Sequence, residues 1–203
     1  MADMREMHSV LHAFAIKKLG SIEDAAALTG LDEAQVSALA AEAVAGGRLN
    51  EVDGRYMVTP TAQITLKGVY AKVYGTLRDD AGFREDYEAF ERTNDDLKQL
   101  MTDWQTLTIA GETVANDHSD PHYDERIISR LGRLHDRAER LLDRLAQQVP
   151  RVAYYSGQLL SALEKAEDGD VRWVSDATIG SYHTVWFELH EDLLRVTGLA
   201  RRE

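Results

Sequence analysis

With 203 residues, 44% of them apolar, the chain has room for one large or two small folded domains around a buried core. A net charge of −12 and an isoelectric point near 5.0 disfavour nucleic acid, anionic membrane and acidic substrates unless basic groups gather locally, and the sequence displays no such basic cluster. The absence of cysteine excludes disulfides, thiolate metal sites and a cysteine nucleophile.

The opening stretch, Met1 to Arg5, lacks the apolar run of a signal peptide, and no 18-residue apolar stretch follows, so a cytoplasmic location without membrane contact is expected. Met7, Val10, Leu11 and Phe14 recur at helical spacing, with Gly20 as the stop. Ser21 is placed to cap a short second helix through Ala27, with Asp24 completing a box-like pair and Thr29-Gly30 making the turn. Asp32 caps a third helix with Val36, Leu39, Ala40 and Ala43 on its apolar face, ending at Gly46-Gly47. Arg48 to Val52, an Asp53-Gly54 turn and Arg55 to Val58 then read as a hairpin. Three helices followed by a hairpin is the order of a winged helix.

Beyond it the pattern is helical. Leu66, Val69, Tyr70, Val73 and Leu77 mark a connecting helix. Tyr87, Phe90, Asn94, Leu97, Met101 and Trp104 step by 3, 4, 3, 4, 3, and Ile127, Leu131, Leu134, Ala138, Leu141 and Leu145 repeat the pattern after an Asp120-Pro121 start. Heptad-like spacing in both predicts antiparallel neighbours in a bundle, with Asn94 as a buried register-setting amide. Val152, Tyr155, Leu159, Leu163 and Ala166 mark another helix ended by Asp168-Gly169-Asp170, and a last one runs from about Ile179 to Val196. Residues 105–120 read as one long irregular linker. The expected fold is therefore mainly α: an N-terminal winged helix-turn-helix over residues 1–62, then a C-terminal antiparallel helical bundle over 63–203 that binds a ligand or partner.

The stretch from Leu19 to Gly47 contains no lysine or arginine and five acids, Glu23, Asp24, Asp32, Glu33 and Glu42. Phosphate neutralisation by Lys and Arg supplies most non-specific DNA affinity, and base reading favours Arg, Lys, Asn and Gln. A DNA-binding reading would have to rest on Gln35, Ser37, Arg48 and Arg55, which is thin support. A protein target is the better expectation, since winged helices also serve as docking modules.

Two polar and aromatic clusters exceed what packing needs. One is Trp104-Gln105 with Asn116, Asp117 and His118; the other is Tyr182, His183, Trp186, Glu188 and His190 on the last helix. Asp117, Ser119 and Asp120 also lie where they can satisfy the free N–H groups of the following helix. His183 and His190 are seven residues apart, about 10 Å along a helix, too far to share an ion, although either could meet His118, His122 or His135. No metal and no cofactor is assigned. His118, His183 and His190 are expected to converge with Trp104 and Trp186 on one pocket. A glycine-rich phosphate loop, His-Glu-x-x-His and Gly-x-Ser-x-Gly are all absent, so no catalytic residue is assigned and no enzyme is expected.

The segments Thr102-Asp103-Trp104-Gln105, Asn116 to Asp120, Tyr123-Asp124 and Ser181 to Leu193 together resemble an actinobacterial family of winged-helix plus helical-domain proteins, often labelled MarR-type regulators. Similar segments occur at the C-terminus of proteins resembling pyruvate phosphate dikinase and other phosphoenolpyruvate-utilising enzymes. The resemblance spans nearly the whole chain and implies a helper role beside a phosphotransferase, since the swivelling phosphohistidine domain and the nucleotide-binding domain of such enzymes are missing. It implies a protein partner, phosphotransferase-like or a second copy of the chain, and a small-molecule ligand. The competing expectation is a ligand-responsive, dimeric MarR-like transcription factor.

Overall fold

The computed structural model describes residues 5–109 and 111–200; the Met1 to Met4 part of the opening stretch lies outside them. The order is α1 (Glu6–Lys17), α2 (Ile22–Thr29), α3 (Glu33–Ala45), β1 (Leu49–Val52), β2 (Arg55–Val58), α4 (Pro60–Asp79), α5 (Ala81–Gln105), β3 (Thr106–Ile109), β4 (Glu112–Ala115), α6 (Pro121–Gln148), α7 (Val152–Glu167), α8 (Arg172–Ser175) and α9 (Tyr182–Thr197). The protein is mainly helical, with two small antiparallel hairpins. Among the described residues no helix is long and apolar enough to cross a membrane. The sequence reading drew its line after residue 62; the contacts divide the chain into one unit up to Asp80 that also takes the stretch from His190, and another running Ala81–Leu189.

In the first unit the local signals act as their chemistry dictates. Ser21 and Asp24 form a reciprocal capping box on α2, and Asp32 with Gln35 forms another on α3. Asp53 and Gly54 both have positive φ (50° and 73°), the conformation a two-residue hairpin turn demands. Gly20 does not stop α1, as its position suggested; Lys18 caps that helix and Gly20 pairs with Tyr56 beside the hairpin. A Cβ on Gly20 would stand 2.9 Å from that of Lys17, so this close approach requires glycine.

The end of α9 is tied to α1 and α4 by polar groups. His12 and Asp192, both essentially buried, lie 3.2 Å apart, and the other ring nitrogen of His12 meets the Tyr70 hydroxyl at 2.9 Å. Arg195 donates to the Ala15 carbonyl, while Arg78 donates to the carbonyls of Arg195 and Val196.

In the second unit α5 and α6 pack along the expected seams. Phe90, Leu97, Leu100 and Trp104 are buried on α5, and Ile127, Leu131, Leu134, Ala138, Leu142 and Leu145 on α6. Residues 105–120 are not an irregular linker. Thr106-Leu107-Thr108-Ile109 and Glu112-Thr113-Val114-Ala115, rich in β-branched residues, pair as a hairpin with Thr106 opposite Ala115 and Gly111 at φ 89° in the turn. The short helix α8 carries no sequence signal of its own, and α9 begins at Tyr182 rather than Ile179. His135 is buried on α6, its Nδ1 3.2 Å from the Tyr182 hydroxyl, and burial holds its pKa below the ordinary 6.5.

Removing Asp192 strips the buried His12 ring of its carboxylate neighbour. Asp192→Ala should therefore lower the unfolding free energy in urea by about 1–3 kcal/mol. The second expectation concerns pH. Because the folded pKa of His135 is depressed, the unfolded chain binds its proton first; stability is full above 6.5 and falls as pH drops through and below that value. Urea titrations at several pH values should show this slope in the parent and a shallower one in His135→Asn.

Candidate functional site

Hairpin register builds the site. Because Thr106 faces Ala115, the next residue, Asn116, returns opposite Gln105, and its backbone N–H donates to the Gln105 carbonyl at 2.8 Å. The loop that follows is thereby held against the C-terminal end of α5. Asp120 then caps α6 by accepting from the N–H groups of His122 and Tyr123, with Pro121 in the first turn. Tyr123 secures the junction from the other side: its hydroxyl donates to the Asp103 carbonyl at 2.6 Å.

Asp124 is the centre of this arrangement. It lies on the same face of α6 as Ile127, Ile128 and Leu131 and is only 4% exposed. A buried carboxylate must be satisfied by donors. Asn116 spends its two side-chain protons on the Trp104 carbonyl (2.9 Å) and Asp124 Oδ1 (3.1 Å), and His118 Nδ1 lies 3.1 and 3.0 Å from the two Asp124 oxygens.

A carboxylate only accepts, so the proton between it and His118 sits on Nδ1. With Asn116 already committed, its 3.2 Å approach to the same ring nitrogen is proximity rather than a bond. In the neutral ring His118 Nε2 carries the lone pair, and it has no partner among the described residues. The ring lies against the Trp104 indole, centroids 4.5 Å apart and planes tilted by 39°. The indole N–H in turn donates to Ser175 Oγ at 3.0 Å, which fixes the aromatic floor. His118 adopts a left-handed φ of 59°, and its backbone N–H donates to Asn116 Oδ1. The outcome is an outward-facing imidazole acceptor on an aromatic plate, oriented by a buried carboxylate. It can accept a hydrogen bond or a proton, or contribute one ligand to an ion.

Trp104, Asn116 and His118 are thus brought together. Gln105 contributes its carbonyl and exposes its side chain. Asp117 faces solvent and closes a turn with Ser119; hydrogen bonds from the Ser119 side chain and backbone hold its pKa below the usual carboxylate value. The last-helix cluster lies elsewhere in the unit. Trp186 stacks on Phe90 at 5.1 Å and donates to the Asn94 side-chain oxygen at 3.1 Å. Asn94 and Trp104 are ten residues apart on α5, about 15 Å along its axis. The predicted single pocket is therefore corrected: the two tryptophans bind different levels of one helix. Tyr182 is buried against His135, burial holds the His183 pKa below its ordinary value, Glu188 is half-buried, and His190 is buried in the first unit. Among the described residues no group of three or more His, Asp or Glu side chains is arranged to hold a metal ion.

Sequence reasoning missed Asp124 as a site residue, although an acid on the apolar stripe of a helix was a readable signal. It also overlooked a basic row. Arg126, Arg130, Arg133, Arg137, Arg140 and Arg144 follow one another on α6 at spacings of four and three. Arg130, Arg137 and Arg144 pair with Asp103, Asp96 and Asp86 of α5 at 2.7, 3.1 and 2.7 Å. Arg133 and Arg140 have no acid partner among the described residues, and Arg126 lies over the Tyr123 ring.

Of the four residues a DNA reading would use, three are occupied. Gln35 accepts from the Asp32 N–H, Arg48 pairs with Glu42 at 3.1 Å, and Arg55 donates to the Leu19 carbonyl; Ser37 is exposed.

Fold and site together define a mainly helical protein with a carboxylate-oriented histidine on an aromatic plate. No family model, curated protein or solved structure matches the chain.

The imidazole orientation has a direct spectroscopic readout. Two-bond ¹⁵N–¹H spectra of the His118 ring should place the proton on Nδ1 in the parent protein. Asp124→Ala should release the ring to a mixture of tautomers and lower the unfolding free energy by about 1–3 kcal/mol. An unchanged tautomer in that variant would contradict the assigned role of Asp124.

Proposed function

We propose that this protein is a non-catalytic accessory or regulatory module in which α1 to β2 form a winged helix that docks protein, while the His118 site in the helical second unit receives a small molecule or a partner group. The observation that carries the reading is the state of the few cations near α3. Arg48 is neutralised by Glu42, Arg55 is spent on a main-chain carbonyl, and the exposed face of α3 presents Glu33 and Glu42. Such a surface repels a phosphate backbone and suits a partner with basic or neutral character. The resemblance of the Trp104, Asn116 to Asp120 and Ser181 to Leu193 segments supports a phosphotransferase of the phosphoenolpyruvate-utilising, dikinase-like kind as the partner.

A second reading, a ligand-responsive MarR-like transcription factor that binds DNA as a dimer, is favoured by the helix order, the Asp53-Gly54 turn and the Gly20–Tyr56 bridge beside the hairpin.

Fluorescence anisotropy with the protein's own upstream DNA separates the two. The docking reading expects no specific binding even at low salt, and specific binding with a steep salt slope would overturn it in favour of the regulator. In parallel, purification from native lysate should recover a phosphotransferase component whose rate the protein alters. Recovery of none, with no effect on such an enzyme, would remove the partner assignment.

A further inference from the structure

A cleft of about 580 Å³ lies within the first unit, between α1, α4 and the end of α9. Its size falls in the range of about 300–1,000 Å³ typical of small-molecule sites. Its charge runs against that of the chain. Among the described residues, Lys67, Arg78 and Arg195 line it, opposed by Glu191, in a protein of net charge −12.

The three cations differ in how far they are neutralised. Arg195 is paired with Glu191 at 2.7 Å and also donates to the Ala15 carbonyl. Arg78 meets no carboxylate among the described residues. Its Nε and Nη2 donate to the carbonyls of Val196 and Arg195 at 2.7 and 3.1 Å, and Nη1 has no partner among the described residues. The C-terminal carbonyls of a helix carry about half a negative charge, so they offset only part of a guanidinium. Lys67, exposed on α4, has no acid partner among the described residues.

Gly198 fixes the arginine. At φ 75° it lets the chain turn over the guanidinium, and a Cβ there would stand 2.9 Å from Arg78 Cζ and Nη1. The fork is therefore held in place before any ligand arrives, which lowers the ordering cost of binding. The remaining wall is mainly apolar, from Leu66, Leu194 and Leu199 with the ring of Tyr70 beside them, and Gln63 adds a polar group.

We propose that this cleft binds a small organic anion, a carboxylate or phosphate head on an apolar body, with Lys67 and Arg78 receiving the head. The proposal is independent of the His118 site and of the docking reading.

The test uses the full chain, ¹⁵N-labelled, titrated with hexanoate, hexyl phosphate and, as the uncharged counterpart, hexanol. Hexanoate or hexyl phosphate should shift the amides around Lys67, Arg78 and Gly198, with the tighter binder identifying the head group, and hexanol should bind at least tenfold more weakly. Lys67→Gln, a surface change, should weaken the anion about tenfold with the rest of the spectrum unmoved. Arg78→Lys, which keeps the charge and loses the fork, should weaken it as well. Hexanol binding as tightly as the anions, no shifts with either anion, or unchanged affinity in Lys67→Gln would each overturn the proposal.

Discussion

A carboxylate on the apolar face of a helix is the constraint around which the candidate site is arranged. Asp124 sits where α6 otherwise presents isoleucine and leucine, and such a group is tolerated only when donors reach it. Those donors come from a loop, so the loop must return to one place. The β3–β4 hairpin brings it back, Tyr123 and Asp120 pin the start of α6, and Asn116 links the carboxylate to the end of α5. The exposed histidine is the last member of this chain of requirements. Its orientation is a consequence of satisfying a buried charge, which is why a residue in a surface loop has one defined tautomer.

Charge in the second unit follows a comparable economy. Three of the six arginines on α6 face aspartates of α5 and staple the seam, while Arg133 and Arg140 are exposed without an acid partner among the described residues. Exposed pairs contribute little singly, about 0–1 kcal/mol, so the apolar seam and not the staples holds the two helices together. The ion pairs select the alignment in which Asp103, Asp96 and Asp86 meet Arg130, Arg137 and Arg144. Alignment of α5 with α6 in turn fixes the distance from Trp104 to Asp124, and hence the ring contact under His118.

Features governed by local rules were legible in the sequence. The capping residues Ser21, Asp32 and Asp120, the Asp53-Gly54 turn, and the apolar steps of α5 and α6 each carry a short-range physical signal, and each has its predicted local form. The pairing of Trp104 with the Asn116 and His118 loop was approached through polarity alone. What escaped depended on partners distant in sequence or on segments too short to carry a pattern. The linker hairpin was hidden because its four-residue strands are shorter than a convincing alternation and have largely exposed faces. The expected convergence of both tryptophans failed because helical spacing gives an azimuth and not a level. Asp124 and the arginine row were present in the pattern itself, but each needs the neighbouring helix before its role is defined.

The scarcity of free cations gives the remaining ones their meaning. In a chain this acidic, most basic side chains described above are matched to acids or carbonyls. Among the described residues Arg78 is matched to helix-end carbonyls and Lys67 stands nearby without an acid, both on one cleft with a mainly apolar wall. A surface lysine alone would mean nothing, since solvent screens it well. A half-buried guanidinium held by a glycine and two carbonyls differs, because its side chain has already lost its freedom and part of its hydration during folding. An arriving anion then gains from both cations while little remains to be ordered. The same reasoning separates this cleft from the α6 row, where the free arginines are long, solvated and unconstrained.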